Sequence, residues 1–297
     1  MQKRAWISLA AAAAIIAGPG AAQQGQPAPE QPTITVEGRN PDDQIRALVD
    51  SLPPAPANGH IARFEHDACP AILGVPPAQR ASIVARMRAV GAAAGVPMGR
   101  PSCRPNIVIL VTPDKRQLIE QLARRYPYYL GDLSRRQIAR LAESPAPSAL
   151  WHMNGVVDAD GRVLTASGGN VPVMRTGRQG SRIVDQTHPE YIGSVLVLQA
   201  SALVGLTTTQ LADYAAMRTL SGADPARLPG RDVPTILTLV DAPMGSEVPI
   251  TLTNWDLAFL QSLYASDVDI RAPGQRGEIQ AGMRRALQPS GDRQAPH

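Results

Sequence analysis

The chain has 297 residues, 44% of them apolar, with 29 basic against 25 acidic side chains and a net charge of +4. That length and apolar share suffice for one large core or two closely packed lobes. Nearly all the positive charge is arginine, Lys3 and Lys115 being the only lysines; no basic stripe with interleaved aromatics occurs, which argues against a nucleic-acid partner.

The N-terminus, MQKRAWISLAAAAAIIAGPGAAQQ, has a charged start at Lys3 and Arg4, an apolar run over Trp6–Ala17 and small residues at Gly20-Ala21-Ala22. This is the pattern of a secretory signal peptide over residues 1–22. Its removal takes two cations and no acid, lowering the net charge from +4 to +2. The run is short for a membrane span, and no cysteine follows the cleavage site to carry a lipid. The mature chain is therefore expected to be exported to the periplasm or beyond, with no membrane span after cleavage. Residues 23–33, rich in Pro and Gln, read as a disordered linker.

Downstream, ITVEG (34–38) alternates like a short strand, and PDDQIRALVDSL (41–52) reads as an amphipathic helix with acids in its first turn. IARFE (61–65) reads as a strand, and Pro76–Ala94 as a helix closed by Gly95. Pro105–Thr112 is a continuous apolar, β-branched run, as in a central strand. Pro113 then reads as the first helical position of a helix reaching Arg125. The two cysteines, Cys69 and Cys103, lie in no CxxC pair and beside no ligand-spaced histidine; in an oxidising compartment they read as one disulfide. Closing a loop of about 35 residues, it contributes roughly 3–4 kcal/mol.

Ser134 opens a capping box for a helix to Ser144. Residues 145–190 look irregular, with a β-hairpin near Asp160-Gly161. Tyr191–Ala200 reads as a second buried strand. Thr207 and Gln210 form another capping box, opening a helix to Leu220 that Gly222 ends. In it Leu211, Tyr214, Ala215 and Met217 mark one buried face. GEIQAGMRRAL (277–287) reads as the last helix and 289–297 as a disordered tail. The expected fold is α/β (α+β): a mixed sheet with packed helices in a single mature domain, 34–288, with one disulfide.

Three segments carry a family resemblance. TQLAD (209–213) stands on a capped helix after a strand, where a zincin metalloprotease carries HExxH. PTILTLVD (234–241) lies where metzincins turn beneath the metal. LTNWDLAFLQSLYA (252–265) resembles the metzincin closing helix at Leu252, Thr253, Asp256, Leu257, Leu260, Leu263 and Tyr264. Residues 191–265 thus resemble a degenerate zincin, as does a family of bacterial envelope proteins of unknown function with the same layout. The resemblance implies a zincin-like C-terminal half without its metal. HExxH needs two imidazoles one turn apart and a Glu as general base. Here Thr209 is a poor ligand, Gln210 cannot accept a proton at neutral pH, and Asp213 cannot hold a metal alone. No metal and no cofactor are expected. Thr209 and Gln210 equally read as capping residues without any such ancestry, and Asp213 as a solvated helix residue.

The leading functional expectation is an exported, non-catalytic protein, a pseudo-metalloprotease whose cleft binds a peptide or an envelope component, with Trp151, His152 and Trp255 as cleft candidates. One alternative is a hydrolase or peptidase with an atypical site built from Asp213 with His152 or His188. Another is a purely structural envelope protein.

Overall fold

A computed structural model describes residues 40–55, 59–158, 161–164, 185–230, 233–243 and 245–288. The expected leader, linker, ITVEG strand and tail lie outside them. Among the described residues the fold is mixed α+β, with a four-stranded mixed sheet and seven α-helices, and no helix is long and apolar enough to cross a membrane.

Helix α1 (Pro41–Asp50) starts where the Asn40 side chain accepts the Asp42 N–H, with Asp42 and Asp43 favourably placed at the positive end of the helix dipole. Strand β1 (Pro70–Leu73), helix α2 (Pro77–Ala93) and strand β2 (Ile107–Thr112) form a parallel crossover unit. On the far side of β2 come α3 (Lys115–Arg125) and α4 (Arg135–Glu143). Strand β3 (Ser148–Asp158) then runs antiparallel to β4 (Thr187–Gln199), which pairs parallel with β2. The order is β1-β2-β4-β3, so β3 is an edge. Helices α5 (Thr208–Ser221), α6 (Asn254–Ala265) and α7 (Ala272–Leu287) complete the fold.

Alternate residues of the strands serve two cores. Ile107, Ile109, Leu196 and Leu198 join the larger one with α1, α2, α5, α6 and α7. Val195, Val197, Ala149 and Trp151 join the smaller one with Ile119 of α3 and Ala142 of α4. Covered on both faces, β4 is buried continuously over Val195–Leu198, as a central strand requires.

Several sequence expectations are corrected. IARFE forms no strand: Arg63 O accepts the Tyr191 N–H, Ile61 N donates to the Gln275 side chain, and Arg63 reaches the carbonyls of Leu263 and Ser266 at the end of α6. Residues 145–190 are not wholly irregular, since they contain β3 and the start of β4; the expected hairpin turn is present at Gly161, where Val157 bridges Val163 antiparallel, while Asp160 lies outside the described residues. Pro113 precedes the helix cap, which is Asp114 accepting from Gln117 N. Helix α7 begins at Ala272, not at Gly277. The disulfide is present: Cys69 and Cys103 are bonded, joining the residue before β1 to the loop before β2.

Helix α5 differs most from expectation. Its capping box forms, the Gln210 side chain accepting the Thr207 N–H and the Thr207 hydroxyl accepting the Gln210 N–H, and it ends at Gly222 with φ +72°. Yet every residue from Gln210 to Ser221 is buried, not one face. The sheet, α2, α6 and the 3-10 turn Ile236–Thr238 enclose it. The polar side chains it carries must therefore find partners inside the protein.

A groove along the edge strand

The outer edge of β3, on the side away from β4, has a definite hydrogen-bond phase. Ser194 N donates to Asn106 O at 2.8 Å, away from β3, which makes His152 and Ser194 a pair without mutual hydrogen bonds. Gln199 N donates to Pro147 O at 2.9 Å, fixing the alternate phase. By the two-residue period, Leu150 and His152 point their N–H and C=O groups outward. Farther along, the outward groups are taken: Leu164 N donates to Val156 O and Asp158 N to Arg162 O. Among the described residues, no backbone partner meets those of Leu150 and His152.

Two cavities, of about 550 and 520 Å³, adjoin this edge and share Pro53, Pro54, Leu141, Leu150 and His152. The first also touches Arg218 and Gly222 at the end of α5. Leu141 belongs to α4 in the layer on one side of the sheet, Arg218 to α5 on the other. A space reaching both layers lies beyond the sheet edge, so the two cavities form a groove with β3 as its floor.

His152 stacks on Tyr191 with ring centres 3.8 Å apart, and its Nε2 lies 3.0 Å from the Thr219 carbonyl. A carbonyl only accepts, so Nε2 carries the proton. Burial lowers the imidazole pKa to about 4, against the weaker pull of the Thr219 hydrogen bond. The ring is neutral at pH 7 and too weak a base to take a proton efficiently there. The Tyr191 hydroxyl is pushed up by burial and stays protonated.

The remaining candidates separate. Trp151 lines the second cavity but is buried in the smaller core, its Nε1 donating to Tyr129 O at 2.8 Å. Trp255 packs against the larger core from the first turn of α6 and lines neither cavity, whereas His152 lines both. His188 pairs with Glu65 at 2.9 Å.

Asp213 is not solvated: it is fully buried and accepts four hydrogen bonds, two from Arg86, one from the Thr251 hydroxyl and one from Leu252 N. Gln210, besides capping, donates to Pro249 O at 2.9 Å, and Thr209 is exposed on the first turn. Of the three positions aligned with the metal motif, Asp213 and Gln210 thus face α2 and the 249–252 segment, and none of the three lines the groove. Asp213, His152 and His188 sit in three different hydrogen-bond sets. Among the described residues, no group of three or more His, Cys, Asp or Glu is placed to hold a metal.

The three segments of the resemblance do pack together. Tyr264 of α6 donates its hydroxyl to Leu220 O at 2.8 Å. Asp256 binds the Thr235 hydroxyl at 2.5 Å and Ile236 N at 2.9 Å, fastening the 3-10 turn that lies under α5. Burial raises the Asp256 pKa, and these hydrogen bonds oppose the rise.

Two groove features escaped the sequence, the outward main chain of Leu150 and His152 on β3 and the buried Arg218. A helix apolar on every side is buried on every side, and that pattern in LADYAAMRTL marks its embedded Asp and Arg as partnered or functional. No family model, curated protein or solved structure matches this protein.

Proposed function

We propose that the mature protein is an exported, non-catalytic binding module that takes an extended peptide as an additional strand on β3. The observation that carries this reading is the outward main chain of Leu150 and His152, which meets no backbone partner among the described residues, at the floor of a groove walled by both helical layers. Edge strands present a template for main-chain pairing, and proteins that do not use it usually cover it. Export is supported by the charged, apolar and small-residue pattern of residues 1–22 and by a disulfide of the kind that persists in oxidising compartments.

Descent from a metalloprotease remains part of the proposal. What supports it is the mutual packing of β4, α5, the Ile236–Thr238 turn and α6. Groove binding does not depend on it, because none of the motif positions lines the groove. A hydrolase built on Asp213 has less support: its oxygens are fully engaged and neither histidine joins it.

The test is hydrogen–deuterium exchange of the purified mature protein with extended peptides of roughly nine residues alternating Val and Thr. Binding should slow exchange at Leu150, His152 and Asn154. Peptides that fail to bind at millimolar concentration, or that bind without protecting these amides, would refute the groove. One equivalent of tightly held zinc with chelator-sensitive peptidase activity would refute the non-catalytic reading.

A further inference from the structure

We infer that the Arg218 end of the groove receives the free α-carboxylate of the bound peptide, so that the protein reads peptide C-termini. This rests on the peptide-groove reading above and adds the polarity and the chemical end-group of its ligand.

Arg218 lies in the last turn of α5, only 5% exposed, and lines the first cavity. Its one hydrogen-bonded nitrogen donates to Ala223 O, and the same nitrogen sits 3.7 Å from the half-exposed Asp224 carboxylate. The Nε is buried and has no hydrogen-bond partner. A buried unpaired donor is destabilising, more so when charged, so a native protein seldom keeps one without a role for it. Nε and the second terminal nitrogen make one edge of the planar guanidinium. A carboxylate matches such an edge with two parallel hydrogen bonds.

Strand polarity places the peptide's end there. The first cavity meets β3 from Ser148 to His152, reaching its beginning, and the second meets it from Leu150 to Asn154. A peptide pairing antiparallel with β3 runs from the Asn154 end toward Ser148 and brings its C-terminus to Arg218. The Ser144 and Ala146 segment entering β3 also lines this cavity. Asp224 and Asp241 also line this cavity. They balance Arg218 and Arg227, and they disfavour ligands carrying several acidic groups over one with a single terminal carboxylate.

The experiment measures fluorescence anisotropy of the full mature protein with the alternating Val/Thr peptide, labelled at its N-terminus, as the free acid and as the C-terminal amide. The free acid should bind at least about tenfold more tightly, as loss of a charge-assisted bidentate pair requires. Arg218→Lys, which keeps the charge and loses the fork, and Arg218→Gln should both reduce that ratio toward one. Equal affinity for acid and amide, with β3 amides still protected, overturns the C-terminus reading and leaves the groove standing. No binding of either form sinks both. Where an Arg218 variant does not fold, the acid-to-amide ratio of the wild type still decides.

Discussion

Arg86 holds the carboxylate of Asp213 side-on, with Nε 2.6 Å from one oxygen and a terminal nitrogen 3.1 Å from the other. The aspartate is wholly buried while the arginine side chain is 40% exposed. The two partners are therefore unequal in what their loss leaves behind. Arg86→Ala strands a buried negative charge with only Thr251 and Leu252 as donors, and should cost about 3–5 kcal/mol. Asp213→Asn leaves a guanidinium that can turn to water, and should cost about 1–3 kcal/mol. Urea unfolding of both variants checks the order; the reverse order would overturn this account of the pair.

Two histidines predict opposite pH dependences. His152 has its pKa lowered to about 4 by burial, so protons bind the unfolded protein more readily than the folded one. Stability is then full above about pH 6.5 and declines as pH falls toward 4, by at most about 3 kcal/mol and less because the ring partly borders the groove. His66, hydrogen-bonded to the buried Glu190 at 2.7 Å, has its pKa raised chiefly by that bond. Its contribution is complete below about pH 6.5 and fades as pH rises through the higher folded value. NMR titration should show His152 silent down to about pH 5 and His66 titrating above its ordinary range; His152→Gln should flatten the acid limb of the stability curve.

Local periodicity made most helices and the two central strands legible, because capping boxes at Ser134 and Thr207 and the run from Ile107 to Thr112 state their structure within a few residues. The four-residue β1 and the edge strand β3 were not legible. SALWHMNGVVD mixes core residues for one layer, groove residues for the other and a glycine, so neither alternation nor a continuous apolar run results. IARFE has the alternation of a strand but spends its groups on the Gln275 side chain, the end of α6 and a single carbonyl contact with Tyr191. The groove is the least local feature of all. It exists only where residues 53, 141, 150 and 218 meet, a relation that no window of sequence contains.

Glycines 74 and 95 separate two costs of adding a methyl group. Both have positive φ, +84° and +79°. A Cβ on Gly95 meets nothing within 4 Å, whereas one on Gly74 falls 2.0 Å from the Val111 carbonyl oxygen of the neighbouring strand β2. Gly95→Ala should cost about 1 kcal/mol, the conformational penalty alone. Gly74→Ala must also displace main chain of β2, and should lose at least about 2 kcal/mol more. Thermal melts of the two variants make the comparison; equal losses would mean that the β1–β2 junction yields freely.

The Cys69–Cys103 bond should act on the unfolded state more than on the folded one. Asn106 already fixes the start of β1 against β2: its side-chain oxygen accepts Cys69 N at 2.8 Å, and Cys69 O accepts from Asn106 N and Ile107 N. Those bonds persist when the sulfurs part. Reduction, or the double substitution C69S/C103S, should therefore lower unfolding stability by about 3–4 kcal/mol through regained freedom of the open loop. Peptide affinity at 25 °C should not change, since neither cysteine borders the groove. A large loss of affinity in the reduced but still folded protein would show instead that the bridge holds native geometry as far away as β3.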